Sequence, residues 1–241
     1  MKIRGERECT ECGTRWSYYE TGSIGCPACG SIQSVGTDER TEHTDLPLEF
    51  DLTPIRSDID DVKTSELADR AHDHCREYVR RRGFVNAGQL RDLDETYLAA
   101  TELLHVSDIV AREIRLEDRE ELYFLSVLRD ADLGERPPPE DVPPSLQAAR
   151  GLASANAVRE YRRDIRTWLE EQQTDLTTSE RSALETLGEH VTRIRMLEGD
   201  IDPQTADRLV EATRELANGL RGDELAVNRA QDRLEGLELS P

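Results

Sequence analysis

Lysine is scarce in this sequence, because only two of its 31 basic residues, Lys2 and Lys63, are lysine. The 51 acidic residues outnumber the basic ones and give a formal net charge of −20. At molar salt the screening length falls to about 3 Å, so scattered carboxylates no longer repel one another strongly. The composition therefore predicts a protein adapted to a cytosol of very high salt. The alternative, disorder caused by net charge, is disfavoured because apolar residues keep a helical spacing over the later part of the chain.

Aromatic residues and long apolar runs are also rare. Aromatic residues make up 5% of the chain and hydrophobic residues 36%, which is typical of small, helical packing. No stretch is apolar enough for a membrane span, and the N-terminus lacks the apolar core of a signal peptide. We therefore expect a cytoplasmic chain that is neither secreted nor membrane-spanning and has no membrane partner.

The sequence lacks the motifs of several common enzyme classes. It contains no GxxxxGK[ST] or GxGxxG loop for phosphates, no HExxH helix for catalytic zinc and no GxSxG nucleophile turn. No residue stands out as a nucleophile or a base. These absences predict a protein that is not an enzyme and has no small-molecule substrate.

Cysteine is concentrated near the N-terminus, where two CxxCG units, CTECG and CPACG, hold four of the five cysteines. In a reducing cytosol such pairs bind metal more often than they form disulfides. A tight turn can present two thiolates, and two turns complete the four that tetrahedral zinc requires. Gly13 and Gly30 are expected to supply backbone freedom where a Cβ would collide. The predicted ligands of one structural zinc are Cys9, Cys12, Cys26 and Cys29.

Short strands are predicted around these turns, in KIRGERE, TRWSYYE and SIQSV. Strand alternation would place Trp16 and Tyr18 on one face and Tyr19 on the other. With paired CxxCG and CPxCG turns, residues 1–36 resemble zinc ribbons of the transcription-factor TFIIB type, which carry them on a three-stranded sheet. The whole chain also resembles ribbon-containing proteins of extremely halophilic archaea. The first resemblance implies docking on transcription machinery or nucleic acid.

Iron is the alternative metal, because rubredoxin-type sites use the same pairs of cysteines. Such a site would imply electron transfer. A rubrerythrin would also need a second ExxH motif and further glutamates on facing helices. This sequence has a single ExxH, Glu102–His105, so zinc is the preferred prediction.

The rest of the chain is predicted to be helical, with no strand pattern after the ribbon. The predicted fold is mainly α: a small N-terminal β zinc ribbon, an all-helical body and a C-terminal antiparallel bundle or pair of hairpins. A helix is expected from Thr64 or Ser65 to Gly83, followed by two or three short helices. The predicted segments are the ribbon (1–36), a linker (37–63), a helical domain (64–134), a stiff, extended Pro-rich spacer (135–145) and the C-terminal bundle (146–241).

Local sequence signals mark the residues at which two helices of the C-terminal bundle begin. Thr177 followed by Glu180 forms a capping-box pattern, and Asp202–Pro203 places a cap before proline at the first helical position. Four helical segments are predicted in this part of the chain.

The distribution of charged and aromatic residues distinguishes the ribbon from the rest of the chain as a candidate binding surface. Residues 1–36 contain four basic and four acidic residues, so the whole excess of −20 lies in residues 37–241. A polyanion would be repelled by that body, and nucleic acid is therefore expected to contact the ribbon only. The predicted recognition surface consists of Arg15, Trp16, Tyr18 and Tyr19. The competing interpretation is that these rings only cover the cysteine turns.

The function predicted from these features is that of a zinc-binding, non-catalytic interaction protein. It is expected to associate with transcription machinery or nucleic acid through the ribbon. The alternative is a protein–protein adaptor that docks through its C-terminal helices. Two other candidate functional sites are predicted to be structural. Cys75 is interpreted as a core thiol rather than as a metal ligand with His72, and Glu102–His105 as a pair on the surface of a helix.

Overall fold

The computed structural model describes residues 1–113 and 115–237 and is mainly helical, with short antiparallel strands near the N-terminus. The predicted fold class is confirmed. Within the described residues, no helix combines the length and the apolar character that crossing a membrane requires.

Five short strands and one helical turn build the N-terminal region. The strands are β1 (Lys2–Ile3), β2 (Glu6–Cys9), β3 (Arg15–Ser17), β4 (Ser34–Gly36) and β5 (Thr41–Glu42), and α1 (Tyr18–Thr21) follows β3. Strand β2 lies between β3 and β4 in an antiparallel three-stranded sheet, while β1 pairs with β5. The three-stranded sheet is the arrangement that the resemblance to a zinc ribbon implies.

The described helices after the ribbon agree with the predicted pattern in the C-terminal part of the chain. They are α2 (Thr53–Arg56), α3 (Thr64–Arg81), α4 (Glu95–Arg112), α5 (Asp118–Asp130), α6 (Gln147–Gln172), α7 (Thr178–Met196), α8 (Pro203–Leu220) and α9 (Glu224–Glu235). Both predicted caps are present. Thr177 and Glu180 form a capping box, and the Asp202 side chain accepts hydrogen bonds from the amides of Gln204 and Thr205.

The segment after α3 differs from its prediction. Instead of two or three short helices it forms a hairpin of β6 (Val85–Asn86) and β7 (Gln89–Leu90), followed by the single helix α4. Ala87 and Gly88 have φ values of 51° and 76°, which turns the chain within two residues. The Asp94 side chain then accepts a hydrogen bond from the Tyr97 amide at 2.7 Å, which caps α4.

The chain forms two compact units. The first contains Met1–Glu49, Arg81–Arg91 and Arg163–Thr174, and the second contains Phe50–Arg80, Asp92–Arg162 and the described residues from Asp175 onward. The domain boundaries predicted from the sequence stay predictions, because compactness does not show which segments fold independently.

Within the first unit, a buried carboxylate holds the hairpin in place. Asp164 is 1% exposed and accepts hydrogen bonds from the Thr44 hydroxyl at 2.6 Å and the Phe84 amide at 2.8 Å. The Thr44 hydroxyl oxygen also accepts from the Val85 amide at 3.0 Å. These bonds satisfy polar groups that would be costly to bury alone.

Within the second unit, the core is mostly aliphatic. The seam of the last three helices includes Leu187, Ile194, Leu209, Leu216 and Leu234, all nearly inaccessible to solvent. The Pro-rich stretch is extended only in part: Pro138, Val142 and Pro143 have extended backbone, whereas Pro139–Asp141 and Pro144–Leu146 are 3-10 turns whose first proline presets φ. Val142 and Leu146 are buried, so this stretch packs as part of the unit.

Candidate metal centre

The two CxxCG turns, called knuckles below, share one pattern of backbone hydrogen bonds. In the first knuckle the Cys9 amide donates to the Thr14 carbonyl at 2.9 Å, and the Gly13 amide donates to the Cys9 carbonyl at 3.0 Å. The second knuckle repeats both bonds at 2.8 and 2.9 Å, with Cys26 in the place of Cys9. The repetition places the two cysteines of each knuckle in equivalent positions.

The glycine that ends each knuckle is required by backbone conformation. Gly13 and Gly30 both have φ of 74°, in the left-handed region that disfavours residues with a Cβ. A Cβ at either glycine would meet no atom within 4 Å beyond the adjoining residues, so any collision is with the backbone of the turn itself. The constraint is therefore local to the turn.

The four predicted ligands lie together. The sulfurs of Cys9, Cys12, Cys26 and Cys29 all lie within 4.8 Å of one another. The Cys9 and Cys29 sulfurs are 3.6 Å apart, and those of Cys12 and Cys26 are 3.5 Å apart. A tetrahedral zinc with Zn–S bonds of about 2.3 Å separates its sulfurs by about 3.8 Å. The four side chains therefore fit a single four-coordinate metal ion.

The two sides of the cysteine cluster differ in exposure. Cys9 and Cys26 are buried, whereas Cys12 and Cys29 are exposed. Trp16 packs with the two buried cysteines, and its indole nitrogen donates a hydrogen bond to the Ser23 carbonyl at 2.9 Å. The tryptophan thus covers the buried side of the cluster.

The thiols differ in acidity. Hydrogen bonding between the Cys12 sulfur and the Thr14 hydroxyl, which lie 3.2 Å apart, lowers the pKa of Cys12 to about 6. At Cys29 the Ser31 amide has a lowering effect, but the neighbouring Cys12 thiol, partial desolvation and the thiols of Cys26 and Cys9 outweigh it and raise the pKa to about 12. Metal ligation requires thiolates, so binding an ion releases protons from the less acidic thiols.

The predicted recognition residues do not form one exposed row. Arg15 is exposed and pairs with Glu8 at 2.7 Å, whereas Trp16 is buried. The predicted strand alternation of Tyr18 and Tyr19 is wrong, because β3 ends at Ser17 and both tyrosines belong to α1. Their role in recognition stays a prediction.

Both tyrosines contact another part of the first unit. The Tyr19 hydroxyl and the Thr41 hydroxyl are 2.7 Å apart, and the ring centroid of Tyr19 lies 4.9 Å from that of His43. The Tyr18 ring lies 6.1 Å from the same histidine. These contacts explain why neither ring is fully exposed.

Three aliphatic side chains near the second knuckle are exposed and were not singled out from the sequence. Ile24, Ile32 and Val35 are 53%, 75% and 52% exposed. They are unevenly spaced and show no periodicity, so no sequence pattern distinguishes them from buried residues.

The remaining candidates have structural surroundings. Cys75 is fully buried, which confirms the predicted core thiol, and burial raises its pKa. The interpretation of Glu102 as a surface residue is wrong, because it is 0% exposed and pairs with Arg136 and Arg150. Across the described residues, the four knuckle cysteines are the one group of three or more side chains arranged to hold a metal ion.

Comparisons with known proteins identify a family but add no activity. No curated protein and no solved structure matches the chain. Residues 1–234 match the model of DUF7117, a family of unknown function, and the chain therefore belongs to this family.

Proposed function

We propose that this protein is a zinc-binding, non-catalytic interaction protein whose N-terminal knuckles form a zinc ribbon of the TFIIB type. The observation that carries the proposal is the convergence of four cysteine sulfurs within 4.8 Å. Four thiolates match the ligand set of structural zinc and leave no coordination position for a substrate or a reactive water. The ion would supply folding energy, and the chain's own residues would supply the binding surface.

The sparse core around the knuckles supports a structural role for the ion. The buried cluster there contains Cys9, Trp16 and Cys26, so two of its three members are themselves predicted ligands. Without the ion these thiols would add little packing energy. Binding energy of the metal is therefore expected to be folding energy for the two knuckles.

The proposed partner is transcription machinery or nucleic acid, contacted through the ribbon in a high-salt cytosol. Residues 1–36 have balanced charge, whereas the rest of the chain carries the whole acidic excess. The balance supports a contact that depends little on salt. The second candidate, an adaptor that docks through the C-terminal helices, is favoured by the exposure of Met196 (80%) and Leu225 (68%).

The metal proposal is tested by metal analysis of the purified chain. We expect about one zinc per chain, as a single four-thiolate site requires. Cys12→Ser should abolish stoichiometric zinc, while Cys75→Ala, which removes a thiol outside the cluster, should retain it. Iron in place of zinc would appear as a coloured protein. Retention of zinc by the Cys12→Ser protein would contradict the proposed ligand set.

The partner proposal is tested by affinity capture from cell extract in molar potassium chloride, with and without nuclease. Replacing Ile32 with serine should weaken capture while preserving zinc content. The matched control is Leu225→Ser, since Leu225 is similarly exposed but lies in the second unit. If only Leu225→Ser weakens capture, the adaptor alternative replaces the ribbon proposal.

A further inference from the structure

A groove of about 560 Å³ lies in the second unit, between α5 and the Pro-rich stretch. Its apolar lining includes Leu122 and Tyr123 of α5 together with Pro137 and Val142. We call this feature the α5 groove. It is separate from the cysteine cluster, and nothing in the proposed zinc function uses it.

Two walls of the α5 groove are held by a buried polar cluster. The Tyr123 hydroxyl donates a hydrogen bond to the Glu102 carboxylate, and Arg150 Nη1 donates to the Pro137 carbonyl at 2.9 Å. The same Arg150 nitrogen lies 3.3 Å from Glu102 Oε1. Glu102 and Arg150 are 0% and 2% exposed, so this cluster is sealed from solvent.

Buried charges are expensive to desolvate and often add little net stability even when paired. The cluster holds Tyr123 and Pro137 in place, because both are hydrogen-bonded to the buried Glu102–Arg150 pair. A groove with fixed walls avoids part of the ordering cost of binding. The walls of the α5 groove at Tyr123 and Pro137 are therefore fixed without a ligand.

Two apolar side chains of the groove, Leu122 and Pro144, remain open to solvent. Leu122 is 65% exposed, although its neighbours Tyr123 and Val142 are each 5% exposed. A single exposed leucine is ordinary, but this one borders a concavity that has other apolar side chains in its lining. An aliphatic side chain placed in the groove would cover Leu122 against that lining.

The charges at the groove indicate what the occupant carries. Two exposed carboxylates, those of Glu140 and Asp141, line it together with one exposed guanidinium, that of Arg119, and neither carboxylate has an ion-pair partner within the part of the chain that the structure describes. The second unit as a whole contains 39 acidic and 21 basic residues. Because acidic groups outnumber basic ones both in the groove and in the unit, a basic residue would be attracted here more strongly than an acidic one.

We propose that the α5 groove docks a segment of a partner protein that presents an aliphatic side chain next to a lysine or arginine. The aliphatic side chain would lie against Leu122, and the basic group would pair with Glu140 or Asp141. This interaction is independent of the ribbon, so loss of zinc binding would leave it in place.

The test uses three fluorescent peptides of about 15 residues, the length at which isolated helices begin to form. The first contains leucine and lysine, the second keeps the leucines but replaces lysine with glutamate, and the third keeps the lysines but replaces leucine with serine. Fluorescence anisotropy with the full chain measures each affinity. We expect the leucine–lysine peptide to bind at least about tenfold more tightly than either of the others, because it alone supplies both groups.

Matched leucine variants locate the binding site. Leu122→Ser should weaken the leucine–lysine peptide about tenfold, the loss expected when a buried leucine contact is removed. Leu133→Ser is the control, because Leu133 is 72% exposed in the same unit but does not line the groove. Far-UV circular dichroism and melting of both variants verify that they remain folded.

A double variant tests the charges at the groove. Glu140→Gln with Asp141→Asn should weaken the leucine–lysine peptide at about 0.15 M salt and have a smaller effect at about 1 M, where charges are screened. The proposal is overturned if Leu122→Ser and Leu133→Ser have equal effects, or if the glutamate or serine peptide binds as tightly as the leucine–lysine peptide.

Discussion

The pKa of His43 depends more on burial than on the neighbouring charges. It is 5% exposed, and neither ring nitrogen has a hydrogen-bond partner among the described residues. Burial lowers its pKa below the ordinary value of 6.5, against an opposing effect of Asp45, while the N-terminal amino group and Arg91 lower it further. The neutral ring between two tyrosines is therefore the form that the folded first unit favours.

The first unit should consequently lose stability on mild acidification. Above pH 6.5 the histidine is neutral in both folded and unfolded chains, so its contribution is constant. As the pH falls below that value, the unfolded chain gains a proton that the folded unit resists, and the free energy of unfolding decreases. The decrease ends once the pH has passed the lowered pKa of the folded state. Tryptophan fluorescence reports this unit, since both Trp16 and Trp168 belong to it.

Replacing His43 with phenylalanine should flatten the pH dependence measured by tryptophan fluorescence between about pH 5 and 7. The ring stays between the tyrosines but no longer titrates. His190→Gln is the control, because this histidine also has a pKa lowered by burial but belongs to the second unit. An unchanged slope in the His43→Phe protein would assign the acid sensitivity to other groups, such as the thiolates.

Residue-level predictions from the sequence succeeded where the signal was local. Each of the two CxxCG turns holds its pair of cysteines at a set spacing, and a tetrahedral ion needs four such ligands. The sequence therefore predicted that the four sulfurs lie together. The burial of Glu102 was missed, since its partners Arg136 and Arg150 lie 34 and 48 residues further along the chain. No pattern around a glutamate in a helix indicates which distant arginine will meet it.

Among helices and strands too, an element was predictable where a local sequence signal marked it. The start of α7 was predictable because Thr177 and Glu180 cap it from within one turn. The hairpin Val85–Leu90 was not, because its strands contain two residues each and cannot display an alternating pattern. A weak signal was present in Gly88, which takes the positive φ that a two-residue hairpin turn requires.

Elements of the second unit are joined by the buried cluster around Arg150. This arginine lies on α6, pairs with Glu102 of α4, and forms two hydrogen bonds with Asp207 of α8 at 3.3 and 2.8 Å. Burial alone would lower the pKa of Arg150, but Glu102 and Asp207 raise it, so the guanidinium stays charged. One side chain therefore links three helices.

Arg150→Ala should destabilise the second unit by about 3 kcal/mol, because buried carboxylates lose a partner. The cost is expected at the lower end of the range for buried pairs, since Arg136 still lies 3.1 Å from Glu102. Urea unfolding followed by far-UV circular dichroism measures the change. Adding Glu102→Gln to this variant should recover part of the loss by removing the stranded charge.

The control for this prediction is Arg129→Ala. Arg129 is 69% exposed and pairs with Asp130 on the surface, where such pairs contribute little to stability. A loss for Arg150→Ala no larger than for Arg129→Ala would mean that the buried cluster does not hold the helices together.

On the scale of the whole molecule, charge is distributed unequally between the two units. The first contains ten basic and twelve acidic residues, whereas the second contains 21 basic and 39 acidic residues. The sequence predicted a division between a neutral ribbon and an acidic body. The structure extends the nearly neutral part to Arg81–Arg91 and Arg163–Thr174, segments whose membership depends on contacts across the chain and not on local composition.

Self-repulsion should therefore act mainly on the second unit. Raising potassium chloride from about 0.1 M to about 1 M shortens the screening length from about 10 Å to about 3 Å. The melting temperature followed by far-UV circular dichroism, which is dominated by the helices of the second unit, should rise with salt. The melting temperature followed by tryptophan fluorescence, which reports the first unit, should change much less. A flat response by circular dichroism would mean that the acidic excess does not destabilise the fold. An equal rise in both signals would mean that the repulsion is not confined to the second unit, or that the chain unfolds as one cooperative body.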